Sequence, residues 1–369
     1  YEALRRNLSP LDYLWTFRGH VSGDNVSFDP FPNGLTGLAR DLGNDIQRTP
    51  TVPPRQAMEL IDGSIRWITD YAEPILVAYE RALLLRKRQP IAAAVSTAVS
   101  EMGDGVQGPG APWPLLTSVV RNRGHKANSV TLPEAVKCLV VSCFVVVAAF
   151  TGRRLDEVLG LKKGCTRGDA RYGYWIKTYI EKTLRRMDET PCPEVVVFAI
   201  KQILERLNGH AKKAGIDCSL STWVSIDVNS ISTVRRIHPS VDLNRFAELV
   251  SVSRLGDGSS WHFTARQFRR FFAITYVWRY QYGDLGALAH HLRHFNLGMT
   301  RRYVTEAMIG LIIEEEKALT KAVLTEAARG ERHLGGPAGV RFAQVLRRAR
   351  VALKQRVRVV SPDRLDRYV

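Results

Sequence analysis

The apolar run AVKCLVVSCFVVVAAF at 135–150 limits the possible folds more than any other feature of this chain. It has 16 residues and one charge, Lys137, whereas a helix that crosses a bilayer needs about 20 apolar residues. We therefore predict a helix buried in a protein core, and no membrane partner. The residues before the run carry helix-start signals in the right order: Thr131 as N-cap, Pro133 in the first turn and Glu134 closing a capping box.

Most of the remaining periodicity is helical as well. Apolar residues recur at helical spacing over 55–88, and further helices are predicted over 193–214, over 263–280 and from Thr300 to about residue 327. The segment RYGYWIKTYIEKT, 171–183, alternates aromatic and β-branched residues with polar ones, which predicts strands with turns. The expected fold class is mainly α with a small β-sheet (α+β).

Local composition divides the chain into three parts. Residues 1–50 are rich in Gly, Pro, Asn and Asp, and they are predicted to be loops with short elements between them. TPTVPP at 49–54 is typical of a linker and leads into a unit over 51–330. A basic C-terminal tail is expected over 331–369, because ten Lys or Arg and two Asp occur from residue 332 onward.

Net charge and cysteine content restrict the partners and the compartment. The chain has 53 Lys and Arg against 36 Asp and Glu, a formal charge of +17. Such an excess favours a polyanionic partner, either nucleic acid or an acidic membrane surface, over the alternative of a basic surface kept for solubility. Five cysteines without a CxxC pair are expected to be reduced, as in a cytosolic protein.

The segment TGRRLDEVLGL at 151–161 combines a glycine, a helix start and two arginines. The first N–H groups of a helix are unpaired and carry partial positive charge, which favours an anion there. Arg154 and Glu157 are three residues apart on one helix face, so the carboxylate can hold the guanidinium while it faces a phosphate. The alternative is an ordinary surface ion pair.

A second basic stretch, TARQFRRFFA, covers 264–273. Helical spacing predicts Arg266 and Arg269 on one face, with the phenylalanines on the face towards the core. Arginines flanked by buried aromatic rings have little freedom to move, which suits the binding of a phosphate. The alternative is a solvated basic stripe.

The third stretch, HHLRHFNLGMTRRYV at 290–304, leaves three interpretations open: a metal site, a basic helix on nucleic acid, or a nucleophile beside phosphate-binding residues. His290 and His294 have i, i+4 spacing, but neither HExxH nor a cysteine pair accompanies them, so no metal site is predicted. His291 is interpreted as a surface or core histidine. Tyr303 is the only phenol in the stretch.

Taken in order, the three stretches resemble the motifs of the tyrosine recombinases, the phage-integrase family, whose members read TGLRxxE, HxLRHTFA and LGHxxxxxTxxY. The resemblance extends from about residue 50 to about residue 330, the span of their catalytic domain. It implies a tyrosine-recombinase catalytic-domain-like fold, with a lysine on a hairpin between the first two motifs. Residues 1–50 would then be an N-terminal connector or the remnant of a preceding DNA-binding domain. The catalytic residues it implies are Arg154, Lys182, Arg269, His294 and the nucleophile Tyr303, supported by Glu157 and Arg266.

Two positions depart from the family pattern. Arg266 stands where most members have histidine, and a cation at this position is still expected to donate to a phosphate oxygen. Arg293 replaces the glycine before the motif histidine.

Lys177, followed by Thr178, is an alternative to Lys182. The remaining arginines expected to contact DNA are Arg153, Arg270, Arg301 and Arg302.

The resemblance also implies an activity and an assembly. The chain would cleave and rejoin double-stranded DNA through a 3′-phosphotyrosyl intermediate, with four protomers on two DNA sites and no cofactor or metal, as part of a mobile element in the bacterial cytoplasm at the nucleoid. The amphipathic helix 306–327 would pack on a neighbouring protomer or on its own domain. Two alternatives remain: a catalytically silent DNA-binding protein of the same fold, and a type IB topoisomerase.

Overall fold

The chain folds into two compact units, Tyr1–Pro50 and Thr51–Val369. The computed structural model describes residues 2–20, 22–23, 26–42, 49–102, 115–120, 129–213, 219–226, 234–279, 284–294, 297–304, 309–330, 332, 334 and 339–348. The first unit contains helices α1 (Glu2–Thr16) and α2 (Leu35–Leu42). The 15 residues of α1 exceed the short elements predicted for this region. An internal proline normally signals the end of a helix, but α1 continues past Pro10.

The second unit begins with a nearly continuous helical segment. Helix α3 (Pro54–Arg66) leads through a π-helical turn, Trp67–Tyr71, into α4 (Ala72–Leu85), and α5 (Ile91–Glu101) follows. The helix predicted over 55–88 is therefore confirmed, with one interruption. Pro74 has no N–H to donate to the carbonyl four residues before it, which accounts for a break in the regular hydrogen bonding at this point.

The apolar run forms helix α6 (Leu132–Thr151), preceded by two short parallel strands, β1 (Leu115–Leu116) and β2 (Val130–Thr131). The capping box is present: Glu134 N–H donates to Thr131 Oγ1 at 3.3 Å, and Thr131 N–H donates to Glu134 Oε2 at 3.1 Å. By length and composition α6 is apolar enough to span a membrane, but most of it is buried inside the protein. This agrees with the prediction of a core helix.

A three-stranded antiparallel sheet follows α6. After the short helix α7 (Leu155–Leu159) come β3 (Thr166–Asp169), β4 (Gly173–Ile180) and β5 (Arg186–Cys192), in the order β3-β4-β5. Strands β4 and β5 form a hairpin in which Thr178 is opposite Asp188. The alternating residues Ile176, Thr178 and Ile180 are buried, so one face of the sheet covers the core.

The rest of the second unit is mainly helical. Its elements are α8 (Glu194–Phe198), a π-helical turn (Ala199–Leu204), α9 (Glu205–Lys213), β6 (Thr222–Val224), β7 (Val234–Arg236), α10 (Pro239–Leu249), α11 (Ala265–Arg279), α12 (Leu285–Leu292), α13 (Leu297–Val304) and α14 (Ile309–Arg329), with a further helix at 339–348. The last predicted helix therefore begins at Leu297 rather than Thr300, and residues 305–308 of it lie outside the described residues. Much of the predicted basic tail, and the predicted loop 103–114, lie outside the described residues.

Helix α6 is the centre of the core. Helices α3, α4, α10 and α11 pack on it, and α14 packs on α3 and α11 of the same chain. The predicted fold class, mainly α with small sheets, is confirmed. The C-terminal end of α6 contacts the second and third basic stretches: the Gly152 carbonyl accepts a hydrogen bond from Arg269, and the Thr151 carbonyl lies 2.9 Å from Nε2 of His291.

Candidate functional site

The C-terminus of α6 provides the framework of the site. Gly152 ends the helix in a left-handed conformation, with φ 61°. A Cβ at this position would lie 2.7 Å from Cδ1 of Phe272, closer than real Cβ contacts come, and 3.0 Å from Cδ2 of Leu292, a tight contact. Only glycine fits here, because both the backbone conformation and the surrounding side chains exclude a Cβ. Helices α11 and α12 can therefore approach the end of α6 closely.

Arg154 and Glu157 form the ion pair predicted from the sequence. Arg154 Nη1 donates to Glu157 Oε1 at 2.9 Å, and the backbone N–H of Arg154 donates to Oε2 at 3.1 Å. Glu157 is buried, whereas the Arg154 side chain is 17% exposed. A buried carboxylate that accepts both bonds fixes the position of the guanidinium, while part of the cation stays accessible to a ligand.

Arg269 is held in the protein interior, at 3% exposure. Its Nη1 donates to the Gly152 carbonyl at 2.6 Å, and its Nη2 donates to the Leu292 carbonyl at 2.6 Å. These carbonyls belong to the ends of α6 and α12, where backbone oxygens lack helical partners. The second motif arginine therefore connects the first and third motifs.

His294 continues this hydrogen-bonded chain. A guanidinium only donates hydrogen bonds, so the 3.1 Å contact with Arg269 Nη2 makes Nε2 of His294 the acceptor. The ring proton is then on Nδ1, which donates to Thr300 Oγ1 at 2.9 Å. Burial, together with the charges of Arg269 and Arg154, lowers the pKa of His294 from 6.5 to about 4. His294 is therefore neutral at physiological pH.

Thr300 brings helix α13 to the site. Its side chain is fully buried, and Tyr303 follows one turn later in the same helix. The side chains of Arg302 and Tyr303 lie outside the described residues, whereas Arg301 is exposed on the same helix. The hydrogen bond between Thr300 and His294 thus attaches the helix that carries the predicted nucleophile to the arginine cluster.

Arg153 and Arg270 do not have the surroundings expected of DNA contacts. Arg153 is 1% exposed, and its Nη2 donates to the His291 carbonyl at 3.1 Å. Burial is the main cause that lowers its pKa to about 10. Arg270 is also buried, and its Nε donates to Thr51 Oγ1 at 2.6 Å. In the structure both arginines hold elements of the protein together, and their contact with DNA stays a prediction.

The division of α11 into an aromatic and an arginine face is also corrected. Arg269 and Arg270 are buried to the same degree as Phe268 and Phe271, whereas Arg266 at the start of the helix is exposed. A buried guanidinium is tolerated where hydrogen-bond acceptors surround it. The acceptors here come from distant segments of the chain, and local periodicity contains no information about them.

His291 has a structural role that the sequence did not predict. Its Nε2 lies 2.9 Å from the Thr151 carbonyl, and its ring stacks on Phe272 with centroids 5.0 Å apart. Burial lowers the pKa of His291 to about 4, so the ring is neutral and donates from Nε2. It fastens α12 to the last turn of α6.

The β4–β5 hairpin carries the predicted lysine. Lys182 is exposed in the turn between β4 and β5, and Lys177 is exposed within β4. Among the described residues no hydrogen bond or ion pair joins Lys182 to the arginines. The structure thus brings together Arg154, Glu157, Arg269 and His294, with α13 attached. Among the described residues, neither Lys182 nor Arg266 forms a hydrogen bond with these four residues.

The cluster can bind an anion and support attack on it. Two fixed guanidinium groups lie beside a neutral imidazole whose acceptor nitrogen orients one of them. Fixed cations of this kind favour a phosphate whose charge increases in a transition state. The sequence named Thr300 and Arg293 but predicted neither the bond of Thr300 to the imidazole nor the contact of Arg293 with the hairpin.

No protein-family model and no curated protein matches the chain. Among solved structures, the XerH site-specific recombinase bound to difH substrate before cleavage is 17% identical, over 48% of this chain and 44% of that chain, with a TM-score of 0.29. The XerH complex with palindromic difH after cleavage is 16% identical, over 54% and 46%, with a TM-score of 0.30. The XerA recombinase is 16% identical, over 71% and 90%, with a TM-score of 0.33. The match thus spans less than half of the XerH chains.

Proposed function

We propose that this chain is a site-specific DNA recombinase of the tyrosine type. In the proposed reaction Tyr303, once its phenol has lost a proton, attacks a DNA phosphodiester. The bond from phosphorus to the 5′-oxygen breaks, which leaves a 3′-phosphotyrosyl link and a free 5′-hydroxyl. Attack by a second 5′-hydroxyl reverses the step and joins new strands without a nucleotide cofactor, because the phosphotyrosyl bond conserves the energy of the phosphodiester.

The arginines supply the electrostatic part of this mechanism. Arg154 and Arg269 would bind the non-bridging oxygens, whose negative charge grows as the tyrosine attacks; one such donor is typically worth about 3–4 kcal/mol. A free phenol has a pKa of about 10, so nearby cations are needed to favour the phenolate. Lys182 would act as the general acid that protonates the leaving 5′-oxygen.

One observation carries the proposal. A line of hydrogen bonds joins the Gly152 carbonyl, Arg269, His294 and Thr300, and it ends one helical turn before Tyr303. More than a hundred residues separate the first motif from the second. The three motifs nevertheless form one contact network. The alternatives for these arginines were a surface ion pair and a solvated basic stripe. Neither alternative accounts for the buried guanidinium of Arg269, which bonds to carbonyls at the ends of α6 and α12.

The proposed partner is double-stranded DNA, and the proposed assembly is four protomers on two DNA sites. The formal charge of +17 supports a polyanionic partner. In the single chain α14 packs on α3 and α11. In the proposed assembly this helix would instead pack on a neighbouring protomer.

A covalent-adduct assay tests the proposal. Purified protein is incubated with a pool of suicide duplexes of randomised sequence, each nicked so that a cleaved strand escapes, and adducts are isolated on denaturing gels after nuclease digestion. We expect an adduct whose modified peptide, identified by mass spectrometry, contains Tyr303. The variant Tyr303→Phe, which keeps the ring and removes the nucleophile, should give none.

Other outcomes separate the alternatives. DNA binding without an adduct from any duplex would favour the catalytically silent DNA-binding protein. The observation that favours this alternative is the exposed Arg266, which stands in place of the family histidine. Relaxation of supercoiled plasmid without strand exchange between two selected sites would favour the type IB topoisomerase.

A further inference from the structure

Arg293 has a backbone conformation that few residues other than glycine adopt. Its φ is 56° and its ψ is 48°, in the left-handed region, where it ends helix α12. The backbone N–H of the next residue, His294, donates to the Ala289 carbonyl at 2.9 Å and closes the helix. For a residue with a Cβ this conformation costs about 1–2 kcal/mol. A glycine would avoid this cost, so contacts of the arginine side chain must offset it.

Those contacts are with the hairpin. Arg293 Nε donates to Asp188 Oδ2, and Nη2 donates to the Glu189 carbonyl at 3.1 Å, both on strand β5. The side chain is 11% exposed and that of Asp188 is 19% exposed, so water weakens the pair less than it weakens a surface ion pair. The guanidinium also donates from Nη1 to the His290 carbonyl at 2.5 Å. One side chain therefore joins β5 to the end of α12.

The two ends of this contact carry different parts of the proposed chemistry. Arg293 immediately precedes His294, which bonds to Arg269. Asp188 lies opposite Thr178 in the hairpin whose turn contains Lys182. A hairpin two strands wide moves largely as a unit, because its backbone hydrogen bonds connect the strands along their length. Fixing β5 at Asp188 and Glu189 therefore restricts where the turn can go.

We propose that Arg293 is a positioning residue that fixes the β4–β5 hairpin against the His294 turn, so that Lys182 meets the leaving oxygen of the phosphate held by Arg154 and Arg269. The inference rests on the proposed function for the role of the lysine. The contact between Arg293 and the hairpin does not depend on it. Loss of the Arg293–Asp188 pair should leave the arginine cluster intact and impair protonation of the leaving group.

The variants are chosen to separate the contact from the backbone. Arg293→Gly takes the left-handed conformation without strain and removes the side chain, and Asp188→Asn keeps the arginine and removes its charged partner. Ser251→Gly is the matched control, because Ser251 is exposed, has φ 58° and lies at the end of α10, away from the hairpin. It relaxes the same kind of residue without touching the Arg293–Asp188 pair.

The first measurement uses the protein alone. Amide hydrogen exchange should be at least tenfold faster across β4, β5 and their turn in Arg293→Gly and Asp188→Asn, and unchanged in Ser251→Gly. Unchanged exchange of the hairpin in the first two variants would overturn the proposal, whatever the protein does to DNA.

The second measurement addresses the lysine. The cleaved duplex is made with either oxygen or sulfur at the 5′-bridging position; a thiolate leaves without protonation, so the sulfur substrate does not need a general acid. Arg293→Gly, Asp188→Asn and Lys182→Ala should each slow adduct formation at least tenfold on the oxygen substrate and less than twofold on the sulfur substrate. Combining Arg293→Gly with Lys182→Ala should be no slower than Lys182→Ala alone.

Equal losses on both substrates would overturn the positioning role, since they would indicate a defect in phosphate binding or in the fold. Absence of any adduct with the unaltered protein would instead contradict the proposed function, and the exchange measurement would then decide alone whether Arg293 holds the hairpin.

Discussion

The imidazole of His294 is a hydrogen-bond acceptor in this protein rather than a cation. Its Nε2 accepts from Arg269 and its Nδ1 donates to Thr300, so the hydroxyl of Thr300 determines which nitrogen carries the proton. His294 thereby orients the guanidinium that would bind the phosphate. It can become a donor to the phosphate only if the charge of bound DNA raises its pKa from about 4.

The substitution Thr300→Val tests this role of the hydroxyl. Valine has nearly the same shape but leaves Nδ1–H of His294 without its partner in a buried position, which costs about 1–3 kcal/mol. We expect adduct formation to slow roughly tenfold or more, with DNA affinity nearly unchanged, measured by single-turnover cleavage and by binding titration. Thr300→Ser keeps the hydroxyl and should retain most of the rate; equal rates for valine and threonine would contradict the assignment.

His291 predicts a pH dependence of stability. Its pKa is about 4 in the folded protein, against 6.5 for an unperturbed histidine, so between these values the unfolded chain binds a proton that the folded chain does not. The free energy of unfolding should therefore fall as the pH drops from 6.5 and level off below about 4. His294 has the same depressed pKa and acts in the same direction.

The measurement is urea unfolding at a series of pH values. His291→Gln keeps an N–H that can reach the Thr151 carbonyl but does not titrate, so the slope between pH 4 and 6.5 should be shallower than in the unaltered protein. His262→Gln, which replaces an exposed histidine in the same way, is the control with which the slope of His291→Gln is compared. An unchanged slope in His291→Gln would show that His291 titrates normally in the folded state.

At the scale of elements, the end of α6 is the point on which the site depends. Gly152→Ala combines a left-handed backbone with a Cβ that meets Phe272 and Leu292, so we expect a loss of about 2–4 kcal/mol in the free energy of unfolding. Gly164→Ala is the matched control, since its φ is 77° but no atom lies within 4 Å of the added Cβ. It should cost about 1–2 kcal/mol, and equal losses in urea unfolding would contradict the packing argument.

Elements set by neighbouring residues were predictable from the sequence, whereas contacts between elements were not. The N-terminus of α6 was predicted because Thr131 and Glu134 bond to each other within one turn. The partners of Arg269, by contrast, are the carbonyls of Gly152 and Leu292, which are 117 and 23 residues away. Burial of this arginine therefore follows from tertiary packing, which helical periodicity does not contain.

The same distinction applies to the candidate site. The order of the motifs identified Arg154, Arg269 and His294, because each motif is short and carries its own residue types. The role of Arg293 was not evident, since its partners Asp188 and Glu189 are about a hundred residues earlier in the chain. A residue that replaces glycine in the left-handed region is the kind of local signal that can direct attention to such a contact.

At the scale of the whole molecule, the formal charge of +17 overstates the number of exposed cations that can contact DNA. Arg153, Arg269 and Arg270 are buried, and Arg332 is largely buried between Asp62 and Glu326. Arg153, Arg270 and Arg332 hold elements of the protein together, and Arg269 belongs to the proposed phosphate site, so none of these four cations is part of an exposed basic surface. Exposed arginines such as Arg266 and Arg301 are the ones that can release counterions from DNA.

Neighbouring positions on α11 allow this distinction to be measured. Each phosphate neutralised by an exposed cation contributes about 0.9 to the slope of the logarithm of affinity against the logarithm of salt concentration. Arg266→Ala should therefore reduce that slope by about one, with little change in the free energy of unfolding. Arg270→Ala removes a buried donor to Thr51 and should leave the slope unchanged, while lowering the free energy of unfolding by about 1–3 kcal/mol. Binding titrations from low to moderate salt, together with urea unfolding of both variants, provide the comparison. A reduced slope in Arg270→Ala with unchanged stability would mean that the buried arginine reaches DNA after all, and that α11 rearranges when the complex forms.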